Sequence, residues 1–188
     1  MKSVLRSAKP YWIYQILIGR KKVEVGKDFP TSRDWNKTVE MYCSSDMQSF
    51  NRIPRADREW MRKYLSKIAC RFVCDEMTKA RADTLLQAYA HNNPEETCMS
   101  DYELYEYAEG KPLRFWHISD LRIYDKPKEL WEFKIKKKCK HAPYFGICSV
   151  SCGIAENGDC DGREYTSNLT RAPQSWCYVE ELSDGTNY

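Results

Sequence analysis

The stretch SKIACRFVCDEM, residues 66 to 77, constrains the fold of this chain more than any other. Ile68, Cys70, Phe72 and Cys74 fall on one side of a period of two, and Arg71 and Asp75 fall on the other. Such alternation is the signature of a strand with one buried face, and its two cysteines read as core thiols. Similar but shorter patterns predict strands at about Lys21 to Gly26, at KTVEMYC (37–43), once or twice within RFWHISDLRIY (114–124), and at SWCYVEEL (175–182).

The helical signals are short. Pro10 suits a first helical turn, Trp12, Ile13, Ile16 and Leu17 recur at helical spacing, and Gly19 follows as a stop, predicting a helix over 10–18. PRADREWMRKYL (54–65) reads as an amphipathic helix carrying Trp60, Met61, Tyr64 and Leu65. Ser100 and Glu103 form a capping-box pattern for a helix over about 101–109, closed by Gly110, and KPKELWEFK (127–134) reads as another short helix. Between 79 and 97, ARADTLLQAYA has helical propensity that HNNPEET breaks. Five or six strands interrupted by short helices predict an α+β fold, a small β-barrel with flanking helices.

The 188 residues suit a single domain spanning 1–188, and 42% hydrophobic residues are enough for a core. A net charge of +3 excludes bulk attraction to nucleic acid, so any such binding needs a local basic patch. The N-terminus has no apolar run resembling a signal peptide, and the longest apolar stretch, YWIYQILI, is too short for a membrane span. A cytoplasmic protein with no membrane partner is expected, and its nine cysteines are then core thiols or metal ligands.

Residues of about 135 to 168 read as an insertion. A basic run, KIKKKCKH, leads into a stretch rich in Gly, Asn, Ser and Cys without periodicity. Cys139, His141, Cys148, Cys152 and Cys160 lie within it, five candidates for the four places of a structural zinc ion. A flexible loop with incidental thiols is the alternative. No phosphate-cradling glycine loop, Ser-His-Asp arrangement or carboxylate metal cluster is evident, so no organic cofactor is expected.

SAKPYW, GRKKVEV, KTVEMYCS, IACRFVCDE, GKPLRFWHISDLRIYDKPKEL and RAPQSWCYVEEL together resemble the ASCH domain family of the PUA-like superfamily, in particular its small phage- and bacterium-encoded members. The likeness runs from Ser3 to Leu182, leaving out the cysteine-rich insertion and the region around 79–97. It implies a compact β-barrel with a cleft that binds RNA or a nucleotide, although some members are nucleoside amidohydrolases or nucleases. Carried over by position, the cleft is implied to involve Ser7, Lys9 and Pro10, then Lys21 and Glu24. The arginine usual two residues after the glutamate is replaced by Gly26.

Strand alternation then places Lys22, Glu24 and position 26 on one face, with Val23 and Val25 toward the barrel interior. Losing the arginine leaves three outcomes: a widened pocket, a bulge at Gly26 that supplies Lys27, or a weakened site. The preferred reading is a binding module in which Lys9, Lys22 and Arg171 position phosphates, Trp12 and Trp176 stack a base, and Gln174 reads a base edge, with Ser175, Glu24 and Lys27 completing the rim. Two alternatives stand beside it. One is a ribonuclease or nucleoside amidohydrolase using Lys21 and Glu24, with His117 as a further candidate. That reading lacks the threonine and the later-strand glutamate of the amidohydrolase members. The other is a protein that binds a host protein. The oligomeric state is not readable.

Overall fold

The computed structural model describes residues 2–30, 36–80, 94–138 and 164–180. Within them the strands are β1 (Lys2–Ala8), β2 (Val23–Gly26), β3 (Lys37–Cys43), β4 (Lys67–Cys74), β5 (Met77–Ala80), β6 (Leu113–His117), β7 (Ser119–Lys128), β8 (Lys134–Lys138), β9 (Glu164–Asn168) and β10 (Trp176–Glu180). The helices are α1 (Pro10–Leu17), α2 (Met47–Phe50), α3 (Arg58–Met61), α4 (Pro94–Thr97) and α5 (Asp101–Ala108).

The α+β class holds, but the strands make two open sheets and, among the described residues, no closed barrel. Seven strands follow the order β7-β4-β3-β1-β10-β8-β9, and three follow β2-β6-β5. β1 runs parallel to β3 and antiparallel to β10, so both of its edges are already paired and it has none left for β2. The two sheets meet instead through a side chain. Arg6 of β1 sends Nη2 to the carbonyl oxygen of Val25 in β2 at 2.7 Å.

Residue alternation explains how the layers stack. On β1, Val4 belongs to the core cluster that holds Phe72, Trp116 and the apolar residues of α1, whereas Leu5 belongs to a second cluster with Phe133 and Leu169 on the other side of the sheet. On β2, Val23 and Val25 pack beneath α5 in a third cluster with Leu104, Ala108 and Phe115. Both faces of β2 are therefore covered, and Glu24 and Gly26 turn toward the seven-stranded sheet. The sequence reading had this the other way round, with the valines facing the barrel interior.

Several local expectations hold. Pro10 opens α1, and Gly19, at φ +73°, lets its N–H reach the carbonyl of Ile16. β3 has the bounds read from the sequence. Ser100 and Glu103 form the capping box of α5, which ends on Glu109 and Gly110, both in the left-handed region. Cys70, Phe72 and Cys74 are core residues, and burial pushes the Cys74 thiol up to about 12.

Others need correction. The register of β4 shifts between Ile68 and Cys70, and this bulge turns Ile68 to the opposite side from Cys70. Residues 54–65 form not one helix but a 3-10 turn, a turn of α-helix and a second 3-10 turn. Residues 127–134 do not form a helix: Pro127 and Lys128 end β7, and Lys134 begins β8. β7 is an edge strand that tolerates Pro127, and only Leu130–Glu132 make a 3-10 turn before β8. Finally, β8 and β9, inside the stretch read as aperiodic, pair antiparallel from Lys134↔Asn168 to Lys138↔Glu164.

Candidate functional site

A cleft of about 560 Å³ opens where the C-terminal end of β1, the start of α1, β2 and α5 converge. Its floor is ionic. Glu24 is 4% exposed, Arg6 4% and Lys21 2%. Arg6 Nε donates to Glu24 Oε1 at 3.2 Å, and Lys21 Nζ stands 3.6 Å from Oε2 while donating to the carbonyl of Thr97 at 2.7 Å. Two buried cations thus share one buried carboxylate. Burial holds the Lys21 ammonium well below the ordinary lysine range, against the pull of Glu24 in the opposite direction.

Glu24 Oε2 is buried and has no hydrogen-bond partner. Its distance to Lys21 is an ion-pair distance, too long for a hydrogen bond. A carboxylate oxygen left this way at the floor of a cleft is an acceptor waiting for a donor.

Gly26 is what makes room for this arrangement. A Cβ there would lie 2.7 Å from Arg6 Nη2, 2.9 Å from Nη1 and 3.0 Å from Cζ. The guanidinium also lies over the Trp116 ring, 4.8 Å from its centroid, and Trp116 pairs with Glu24 across β2 and β6. The bulge at Gly26, one of the three outcomes foreseen for the missing arginine, does not occur. The guanidinium is present, but it comes from β1. β2 stays in register with β6 through Gly26↔Arg114 without a bulge, and Lys27 goes to Glu109 at 2.7 Å.

Aromatic and charged side chains form the rim. Trp12 stands 5.2 Å from Lys21 Nζ, and Tyr102 and Tyr107 on α5 are exposed beside the opening, Tyr102 at 71%. Arg52 stacks on Tyr11 at 4.1 Å and on Trp12 at 5.2 Å, and pairs with Glu103 at 3.0 Å, joining the two walls. Burial alone would raise the Glu103 carboxyl, but the Ser100 amide and Arg52 hold it below the usual carboxylate value.

Of the residues expected at the site, Ser7, Lys9, Trp12, Lys21, Glu24 and Gln174 line the cleft, and Pro10 does not. Lys9 is largely exposed and pairs with Asp46 at 3.3 Å. Ser175 contributes through its carbonyl, which accepts from the Ser7 amide. With the bond from Ser7 Oγ to the Pro173 carbonyl, this holds Gln174 at the rim. Lys27 touches only the cleft's edge, over Tyr107 at 5.1 Å.

Three residues are not brought in. The Lys22 side chain is exposed and does not line the cleft. Arg171 is exposed outside it, and Trp176 packs against the core beside Tyr178. His117 is also away from the cleft, its Nδ1 2.7 Å from Asp75. Cys139, His141, Cys148, Cys152 and Cys160 lie outside the described residues, and among the described residues no group of His, Cys, Asp and Glu is placed to hold a metal ion.

Arg6, Arg52, Tyr102, Glu103, Glu106 and Tyr107 are cleft residues that the sequence reading missed. The tyrosines and glutamates sit on the polar side of α5, a pattern that reads as solvated surface. For Arg6 a signal did exist, since the glycine in place of an arginine asks where else a guanidinium could come from.

No family model and no curated protein matches the chain. Solved structures of the ASCH protein from Zymomonas mobilis do. One covers 68% of this chain and 73% of that one at 16% identity, with a TM-score of 0.48. A single-residue mutant of the same protein aligns over 69% and 77% at the same identity and TM-score. The chain resembles ASCH proteins. Across the described residues no helix is long and apolar enough to cross a membrane.

Proposed function

We propose that the cleft binds one unpaired nucleotide of RNA, or a free nucleotide, and that the protein is an RNA- or nucleotide-binding module. One observation carries this reading: the buried carboxylate of Glu24 lies between Arg6 and Lys21 at the floor of a cleft with an exposed aromatic rim, and its Oε2, ion-paired with Lys21, accepts no hydrogen bond. The exocyclic amine or ring N–H of a base supplies the missing donor, and Lys21 or Arg6 answers the neighbouring base acceptor. Trp12, Tyr102 and Tyr107 offer π-faces for stacking, and Lys9 and Arg52, paired with Asp46 and Glu103, are the rim cations that would meet a phosphate.

The test is calorimetric binding of nucleoside 5′-monophosphates and of a short single-stranded RNA to the wild type and to Glu24→Gln. The expected result is binding to wild type that weakens with salt, and loss of at least tenfold in Glu24→Gln. Absence of binding to any of these ligands overturns the reading and directs the search to a protein partner.

A second reading, hydrolysis of a nucleoside or RNA, has one observation in its favour. Lys21 is lowered toward the neutral amine, beside a carboxylate, in the same cleft. It requires turnover that disappears in Lys21→Ala.

A further inference from the structure

A second depression, of about 720 Å³, is lined by Arg62, Lys63, Lys67, Lys126 and Lys128. Trp131 stands in it with 63% of its surface exposed, and Glu129 and Glu132 are its acidic members. Lys67 pairs with Glu129 at 2.8 Å, and Lys63 donates to the carbonyl of Asp125 at 3.3 Å, so the charges are held along one groove. An exposed indole surrounded by cations is the composition that takes stacked bases and phosphates from a single strand.

The pairing of the seven-stranded sheet connects this groove to the cleft. Ala8, at the cleft, pairs with Cys43; Cys43 pairs with Lys67; and the next residue of β4, Ile68, pairs with Lys128. Cleft and groove therefore lie at the same end of the sheet, three strands apart. At about 4.8 Å per strand that is roughly 14 Å. The chain between them is basic as well. It leaves the cleft at Arg52, carries exposed Arg55 and Arg62, and reaches the groove at Lys63 and Lys67.

We infer that the groove around Trp131 is a second nucleic-acid site, which binds the nucleotides flanking the one held in the cleft. The inference rests on the cleft reading for its register but not for its existence. The ligand is then a single-stranded oligonucleotide, with its phosphates following Arg52, Arg62 and Lys67 and one base stacking on Trp131.

The experiment compares adenosine and uridine 5′-monophosphates with labelled oligoadenylate and oligouridylate of 2, 4 and 8 nucleotides, by calorimetry and fluorescence anisotropy at two salt concentrations. The proteins are the wild type, Trp131→Ala and Lys126→Glu, two exposed positions whose replacement leaves the core intact. In the wild type, affinity is expected to rise about tenfold or more between 2 and 8 nucleotides. Both variants lose that rise, Lys126→Glu also lowers the salt slope, and neither changes mononucleotide binding.

Mononucleotide binding with no gain from length, or a gain that survives in both variants, overturns the groove and leaves the cleft. Oligonucleotide binding that falls in these variants, with no mononucleotide bound, supports the groove and overturns the cleft. No binding of either kind overturns both.

Discussion

Gly26 and Arg6 occupy one site between them: the guanidinium of Arg6 lies where a side chain on residue 26 would begin, 2.7 Å from the position of a Cβ. An arginine carried by β2 itself would leave the strand at this point. Here the same charged group arrives from the neighbouring sheet, and the residue opposite has receded to make room for it. Glu24, Val25 O and the Trp116 ring fix the guanidinium in that space.

Gly26→Arg is therefore expected to weaken ligand binding, because its side chain and that of Arg6 compete for one place. Gly26→Ala is expected to destabilise the fold by about 1–3 kcal/mol, the usual cost of overpacking a filled space. Arg6→Ala should cost more, about 3–5 kcal/mol, since it removes one of the two cations and the hydrogen bond that hold the buried Glu24 carboxylate. Chemical unfolding of the three variants and the Gly26→Ala/Arg6→Ala double variant checks this. The double variant should be much less unstable than the two single losses added, and simple additivity would mean that the residues do not share the space.

Alkaline pH should reveal two opposed contributions to stability. Burial raises the Cys43 thiol from 9.0 to about 12, so unfolded chains lose that proton first and stability falls as pH rises from 9 toward 12. Lys21 acts in the opposite sense. Its folded value is depressed below 10.5, so the unfolded chain binds the extra proton below that pH and stability rises through the window. Unfolding midpoints of wild type minus those of Lys21→Met, taken from pH 8 to 10.5, should climb with pH. A flat difference would mean that Lys21 titrates as an ordinary lysine.

Stacking at the rim should be separable from charge. Trp12→Ala is expected to reduce RNA affinity by about 1–3 kcal/mol with the salt slope unchanged. Arg52→Ala should reduce both affinity and slope, since it removes a phosphate partner. Titrations at three salt concentrations distinguish the two patterns, and identical slopes for both variants would take Arg52 away from the phosphate.

The cysteine-rich segment is proposed to hold one structural zinc ion on four of Cys139, His141, Cys148, Cys152 and Cys160. Elemental analysis of protein purified without added metal should find zinc near one per chain. Chelation should then lower the thermal transition, and a metal-free preparation with the same transition would sink the proposal.

The parts of this fold that were legible in the sequence are those governed by neighbours along the chain. Pro10 and Gly19 bound α1, Ser100 and Glu103 start α5, and KTVEMYC carries the alternation of β3 within itself. What could not be read depends on partners distant in sequence. The bulge that turns Ile68 away from Cys70 is a property of the pairing of β4 with both β3 and β7, and no feature of SKIACRFVCDEM marks it. Two open sheets in place of a barrel follow from the end strands, β7 and β9 in one sheet and β2 and β5 in the other, each pairing on one side only among the described residues. The same limit applies to the site. Lys21 and Glu24 were reached through the positions that the resemblance to ASCH proteins carries over, whereas Arg6 lies in KSVLRSA with nothing local to distinguish it, and becomes a site residue only once β1 faces β2.

Supplying the guanidinium from β1 also fixes when the site can exist during folding. Glu24 and Lys21 can approach each other within a single turn of chain, but the third charge arrives only when the small sheet docks on the large one. Until then the carboxylate stays hydrated. The cleft floor should thus be among the last regions to gain protection from hydrogen exchange, assembled by the same event that excludes water from between the sheets.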